Sequence, residues 1–265
     1  ALTVNHKGVL RDYSQSFALV ITGLNTITTD VGGTIASDTV WDLEGSPYRV
    51  TDDIEVASIA SLTIEPGVVV EFDGNYLLQV YGRLEAVGTE SQPIKFTSHQ
   101  SSPAVGNWKG IEMLGPGVLA NSVMDHCEIH YANVGVELNS YKGTSEHNAL
   151  TVSNSTIANC NTGIELNSAS KVSILNTSFD IISNGISISN SQDVLVGTSR
   201  IQNFVTYGIY IASSSTYAIQ DNEMTQASPN RLLKGTGIYI TGSGGSVGTI
   251  TGNRITFCHD GLVVY

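Results

Sequence analysis

The sequence predicts an all-β protein folded as a right-handed parallel β-helix, a solenoid of roughly eight to nine coils with an N-terminal cap. A Gly followed by an aliphatic residue recurs at intervals of 22 to 29 residues, and apolar and polar residues alternate around each pair. A fixed repeat of this length is typical of a solenoid, and alternation with a period of two is typical of strands. The repeated pairs are Gly110-Ile111, Gly135-Val136, Gly163-Ile164, Gly185-Ile186, Gly208-Ile209, Gly237-Ile238 and Gly261-Leu262.

A second apolar position lies six residues before most of these glycines, and small polar residues precede it. Strands this short are unstable alone, but stacking equivalent strands about 4.8 Å apart pairs each backbone group with the coils above and below. The intervals differ in length because loops tolerate insertions, such as Gln226–Lys234. A sandwich of hairpins is the alternative, but it does not predict Gly-Ile at the same phase of every unit. The second apolar position holds Ile129, Ile157, Phe179 and Ile255.

Before Gly110 the coils are longer, with strand runs punctuated by Pro and Gly. Examples are Leu62–Phe72, which contains Pro66-Gly67, and Leu78–Ala86, which contains Gly82. We therefore expect the parallel β-helix to occupy residues 48–265. Residues 1–47 are expected to form an N-terminal β segment that caps the open end of the solenoid, because an uncovered end leaves strand edges unpaired.

These runs, continued by Pro93–Thr97 and Asn107–Ile111, closely resemble the first coils of secreted bacterial proteins of the right-handed β-helix, or pectin-lyase-like, superfamily. The resemblance implies the fold and a secreted or cell-surface location, but no particular activity, because one fold hosts many functions. Residues 1–23 resemble the end of a β-sandwich that follows subtilisin-like protease domains. This likeness, and a chain that stops at Tyr265 just after a strand, predict neighbouring domains in a larger secreted protein.

Composition and charge limit the classes of partner. A hydrophobic fraction of 41% is enough for a sizeable core, while 12 basic and 24 acidic residues give a net charge of −12. A negative field repels nucleic acid and anionic membranes, so neither is an expected partner. The same field disfavours polyanionic substrates unless a cation bridges them.

The metal-binding residue types are few and scattered. Cys160 and Cys258 fall at one equivalent inward position of the repeat, which predicts burial in the core, and their spacing from Cys127 fits no zinc pattern. His126, Cys127 and His130 suggest a metal, but a full ligand set is missing. We predict no metal site and no cofactor, with Ca²⁺ between stacked carboxylates as the alternative.

One outward column carries the candidate functional residues. In each repeat the aliphatic residue after Gly points inward, so the next residue points outward. Tyrosine rings stack on sugar rings, and Glu and Asn hydrogen-bond sugar hydroxyls. We therefore predict a secreted carbohydrate-binding module for a neutral plant-type polysaccharide, a xylan or glucan. The predicted ligand-binding residues are Glu112, Glu137, Glu165, Tyr210 and Tyr239 in the column, with Trp108, Asn139 and Asn167 nearby.

Two alternatives remain open. Stacked Glu112, Glu137 and Glu165 would lie about 5 to 10 Å apart, which brackets the carboxylate separations of retaining and inverting glycosidases. A polysaccharide-degrading enzyme, a glycoside hydrolase or a polysaccharide lyase, would use these residues. However, the sequence has no Gly-His-Gly, and its only Asp-Asp is Asp52-Asp53, so it departs from the β-helix polygalacturonase pattern. The other alternative is a structural or adhesive surface repeat.

Overall fold

The computed structural model describes residues 28–115, 121–140, 149–181, 183–213, 215–226, 235–242 and 246–265. Within these ranges the chain forms 27 β-strands and no helix, so this part of the chain contains no helix that could cross a membrane. The predicted sandwich tail at residues 1–23 and most of the insertion Gln226–Lys234 lie outside the described residues.

The strands are short and follow one another at nearly regular intervals. Their bounds are β1 Thr29–Ile35, β2 Thr39–Trp41, β3 Tyr48–Val56, β4 Ser61–Ile64, β5 Val69–Phe72, β6 Leu77–Val80, β7 Arg83–Val87, β8 Ile94–Ser98, β9 Trp108–Gly115, β10 Ser122–Asp125, β11 Cys127–His130, β12 Ala132–Ser140, β13 Leu150–Ser153, β14 Thr156–Ala158, β15 Thr162–Asn167, β16 Ser170–Leu175, β17 Ser178–Asp180, β18 Asn184–Ser189, β19 Gln192–Gly197, β20 Arg200–Gln202, β21 Tyr207–Ala212, β22 Thr216–Gln220, β23 Glu223–Thr225, β24 Thr236–Thr241, β25 Val247–Thr251, β26 Arg254–Thr256 and β27 Asp260–Val264.

From β4 onward each strand pairs in parallel with the strand three places later in the chain, so the chain winds around three parallel sheets. The first sheet contains nine strands, from β2 and β4 to β25. The second sheet runs from the first halves of β1 and β3 through β5, β8 and β11 to β26, and the third from the second halves of β1 and β3 through β6, β9 and β12 to β27. Nine coils result, which confirms the predicted parallel β-helix and its number of coils.

The parallel stacking begins earlier in the chain than residue 48. Strand β1 pairs in parallel with β3, from Thr29 opposite Tyr48 to Ile35 opposite Val56, and β2 pairs in parallel with β4. Residues 29–41 therefore form part of the solenoid, in the segment for which the sequence predicted a cap.

The core is built from columns of like side chains inside the three sheets. Burying one aliphatic or aromatic side chain contributes roughly 1.5–3 kcal/mol, so a column repeated in every coil stabilises the whole stack. The column of the third sheet contains Ile111, Val136, Ile164, Ile186, Ile209 and Ile238, all 0% exposed, and that of the second sheet contains Phe96, Ile129, Ile157, Phe179, Ile201 and Met224, also 0% exposed.

The repeated glycine is required by close approach between coils. A Cβ placed on Gly163 would lie 2.5 Å from the carbonyl oxygen of Gly185 in the next coil and 2.7 Å from Cδ1 of Phe179. Real Cβ atoms do not approach other atoms so closely, so the corner between the second and third sheets accepts only a residue without a side chain. This contact explains why Gly-Ile keeps one phase along the sequence.

Candidate functional site

The predicted outward column forms one continuous line on the third sheet. Strand register places Glu137 between Glu112 and Glu165 and places Tyr210 beside Tyr239. The line within the described residues is Thr34, Glu55, Gln79, Glu112, Glu137, Glu165, Ser187, Tyr210, Tyr239 and Val263. Five steps of about 4.8 Å separate Glu112 from Tyr239, a distance of about 24 Å along the helix axis.

The acidic part of the line is joined by side-chain amides. The Asn139 amide donates to Oε1 of Glu112 at 3.1 Å and to Oε1 of Glu137 at 2.7 Å. Asn167 repeats this role one coil higher, donating to Asn139 Oδ1 at 3.0 Å and to Glu165 Oε1 at 3.2 Å. We call this network the acid–amide ladder. It comprises Gln79, Glu112, Glu137, Asn139, Glu165 and Asn167, with Gln79 donating to Glu112 Oε2 at 2.9 Å.

Glu137 occupies the centre of the acid–amide ladder. Partial burial raises the pKa of its carboxyl group, the hydrogen bond from Asn139 opposes that rise, and the charges of Glu165 and Glu112 add to it. Like charges in adjacent coils disfavour simultaneous ionisation of all three acids. Glu137 is the one acid of the ladder with a carboxylate in the coil on each side of it.

Two tyrosines in the upper part of the line, Tyr210 and Tyr239, form a cluster with Tyr207 and Tyr265, which we call the tyrosine patch. Tyr210 and Tyr239 are stacked with ring centroids 5.9 Å apart and an interplanar angle of 15°. Tyr207 lies 5.1 Å from Tyr210 and 4.8 Å from Tyr239, and Tyr265 lies 5.6 Å from Tyr239. Sequence analysis identified only Tyr210 and Tyr239. Tyr207 precedes the repeated glycine and Tyr265 follows β27, so neither belongs to the outward column.

Trp108 is not part of this surface, and its prediction as a ligand-binding residue is wrong. The side chain is 0% exposed, stacks on Phe72 with ring centroids 3.9 Å apart and donates from Nε1 to the His130 carbonyl oxygen at 2.8 Å. The reason is a local irregularity. Gly110 has φ 134° and the register between β9 and β12 shifts at Val134, which breaks the alternation that would have pointed Trp108 outward.

The metal-binding residue types do not converge. Within the described ranges, no three His, Cys, Asp or Glu side chains are grouped so as to hold a metal ion. His126 Nδ1 is paired with Asp125 at 2.9 Å, burial raises the pKa of the Cys127 thiol, and burial lowers the pKa of His130. Burial also raises the pKa of the Cys160 thiol to about 12. Buried protonated thiols are poor metal ligands, because the thiolate is the form that coordinates.

Comparison with known proteins identifies two family models. Residues 100–265 match a model described as periplasmic copper-binding protein (NosD), and residues 33–148 match one described as pectate-lyase-like beta helix domain. Among curated proteins, Protein bark beetle of Drosophila melanogaster is 42% identical over 82 residues, which is 31% of this chain. The matched segment spans only 3% of the length of that relative.

Solved structures with a similar course of the chain include two proteins from bacteria and phage. The alginate lyase from Paenibacillus sp. str. FPU-7 is 14% identical with a TM-score of 0.39, covering 78% of this chain and 91% of that one. Tailspike protein 2 of the Escherichia coli O157:H7 bacteriophage CAB120 is 11% identical with a TM-score of 0.36, covering 85% of this chain and 37% of that one.

Proposed function

Because the chain belongs to the NosD family, we propose that it is an extracytoplasmic protein that binds a neutral polysaccharide along the third sheet of its β-helix. The periplasmic description of the family supports a location outside the cytoplasm, either secreted or at the cell surface. The match of residues 33–148 to the pectate-lyase-like beta helix model supports a polysaccharide-related role. The observation that carries the proposal is the single line of side chains joining the acid–amide ladder to the tyrosine patch.

The tyrosine patch supplies the apolar contacts. Rings at this separation form a broad amphipathic surface, on which the apolar faces of sugar rings stack while the phenol hydroxyls remain free to hydrogen-bond. The rings of Tyr207, Tyr210 and Tyr239 pack against one another with centroids 4.8 to 5.9 Å apart. This packing fixes the positions of the rings before a ligand binds. A surface ordered in advance loses little side-chain entropy on binding.

The acid–amide ladder supplies the polar contacts. Carboxylate oxygens accept hydrogen bonds from sugar hydroxyls, and the amides of Asn139 and Asn167 hold those carboxylates in fixed positions. Three acids in successive coils repel a polyuronate chain, which has a carboxylate on each sugar. The ladder therefore favours a neutral chain such as a xylan or a glucan over pectate or alginate.

Copper binding is not proposed for these coils. A copper site needs converging imidazole, thiolate or thioether ligands, and no such group of His and Cys side chains exists in the described part of the chain. Met113, Met124 and Met224 lie in the hydrophobic core. The residues present do not fit the metal in the family description.

The second candidate function is cleavage of the polysaccharide at the acid–amide ladder. It is favoured by Glu137, whose pKa is raised by burial and by the charges of Glu165 and Glu112, since a raised carboxyl pKa is the direction of shift that a general acid requires. Glu112 or Glu165 in the adjacent coils would then serve as base or nucleophile.

A panel of insoluble polysaccharides, with analysis of soluble products, separates these functions. The proposal predicts retention of the protein on xylan or glucan without new reducing ends and without the ultraviolet absorbance of an unsaturated product. Soluble products that are formed by the native chain but not by Glu137→Gln would establish instead that the protein cleaves the polysaccharide. Failure to bind any polysaccharide would support a structural or adhesive repeat and would refute the proposal.

A further inference from the structure

The second sheet carries a column of outward side chains that is interrupted in its middle. Most of its members are long and form ion pairs, with Lys95 Nζ 3.0 Å from Glu128 Oε2 and Arg254 Nη1 2.9 Å from Glu223 Oε1. Two successive coils instead carry short hydroxyl side chains, which leaves a notch two coils high. In order, the column contains Lys95, Glu128, Thr156, Ser178, Arg200, Glu223 and Arg254.

A line of turn residues forms the wall beside this notch. His126, Asn154 and Asn176 occupy equivalent turns of successive coils, all in the left-handed region with φ of 50°, 49° and 46°. Asn154 accepts a hydrogen bond at Oδ1 from the Asn176 amide at 2.6 Å. The wall and the notch border an open cleft of about 420 Å³, lined by Glu90, His126, Asn154, Ser155, Thr156, Asn176 and Ser178.

His126 is held in a fixed orientation by Asp125. Its Nδ1 lies 2.9 Å from Asp125 Oδ2, and Asp125 Oδ1 accepts from Ser153 Oγ at 2.6 Å and from the Asn154 amide at 2.8 Å. Burial pushes the pKa of Asp125 upward, but the hydrogen bonds from Ser153, His126 and Asn154 outweigh it and lower that pKa. Asp125 is therefore an anion at neutral pH that accepts a hydrogen bond from Nδ1–H of His126, which leaves Nε2 as the ring nitrogen available to a ligand.

We propose that this cleft is a second ligand site, which holds one neutral sugar residue or a polyol of similar size and hydrogen-bonds a ligand hydroxyl to Nε2 of His126. Its volume lies within the range of small-molecule sites. The hydroxyls of Thr156 and Ser178 and the amides of Asn154 and Asn176 both donate and accept, as an array of sugar hydroxyls requires. Glu90 repels anions, and the two charges that flank the notch are paired, Glu128 with Lys95 and Arg200 with Glu223. Asp125 acts as a positioning residue.

The site lies on the second sheet, so it stands independently of the line of residues on the third sheet. Its test is a titration with methyl β-D-xylopyranoside and methyl β-D-glucopyranoside, monitored by NMR of the imidazole ¹⁵N and ¹H signals. His126→Asn places in this turn the residue already found at Asn154 and Asn176, so it preserves the fold and assigns the signal of His126 among the six histidines.

The expected result is a saturable shift of the His126 signal with at least one of the two sugars. Ser178→Arg, which continues the column toward Arg200 and fills the notch, is expected to abolish that shift while His126 remains in place. Asp125→Asn is expected to change the ¹⁵N shifts that report the tautomer and to weaken binding. Tyr210→Ala/Tyr239→Ala is expected to leave the response unchanged. No saturable shift, an equal shift in Ser178→Arg, or loss of the shift in the tyrosine variant would each overturn the proposal.

Discussion

Substituting the repeated glycine is predicted to destabilise the solenoid only where the next coil approaches closely. In Gly163→Ala the added Cβ would meet the Gly185 carbonyl oxygen at 2.5 Å and Phe179 Cδ1 at 2.7 Å. One contact is to backbone held in a parallel ladder and the other to a fully buried ring, so neither atom moves freely. Overpacking of this kind costs about 1–3 kcal/mol, and for a domain of this size each kcal/mol lowers Tm by roughly 2–4 °C.

Gly261→Ala is the matched control, because Gly261 occupies the same phase of the repeat and a Cβ placed there meets no atom within 4 Å. The two variants should be compared by urea unfolding, followed by circular dichroism, and by thermal unfolding at one scan rate. Gly163→Ala should lower the free energy of unfolding by the amount above, and Gly261→Ala should change it by less than about 0.5 kcal/mol. Equal losses in both variants, or no loss in Gly163→Ala, would refute the reasoning that coil-to-coil contact selects glycine.

Three further predictions follow from individual side chains. Burial lowers the pKa of His130 in the folded protein. The free energy of unfolding should therefore decrease as the pH falls from about 6.5, the pKa of an unfolded His, toward the folded pKa. His130→Phe should flatten that part of the pH–stability curve. Asn139→Ala removes the hydrogen bond that holds down the pKa of Glu137, so an NMR titration of the Glu137 carboxyl should show that pKa rising further; an unchanged pKa would contradict the ladder. Trp108→Ala should cost about 3–5 kcal/mol in urea unfolding, whereas Tyr210→Ala should cost far less.

The regular coils could be predicted from the sequence because their determinants are local and repeated. A glycine and an inward aliphatic residue recur in each coil after Gly110, and every such glycine except Gly261 leaves no room for a Cβ, so aligning these pairs also aligns the outward residues that follow them. Glu137 and Glu165 could therefore be placed side by side without coordinates. Gln79 could not, because its coil has no Gly-Ile pair to set the phase.

Residues that depend on irregular backbone or on contacts between distant segments could not be predicted. Trp108 points inward because the register between β9 and β12 shifts opposite Gly110, which simple alternation does not reveal. Tyr207 and Tyr265 join the tyrosine patch through ring contacts made across neighbouring coils. The pairing of Asp125 with His126 depends on a left-handed turn and on donors from the next coil, so only the structure reveals it.

The most direct test of the central claim is a depletion isotherm on insoluble xylan and on insoluble glucan for the native chain and for Tyr210→Ala/Tyr239→Ala. Tyr217→Ala serves as the control, because it removes a tyrosine ring from the first sheet, and circular dichroism verifies that all three proteins are folded. The account predicts saturable binding of the native chain and of the control to at least one polymer, with affinity at least about tenfold weaker in the double variant, equivalent to roughly 1.4 kcal/mol. Equal affinity of the double variant and the native chain would contradict it.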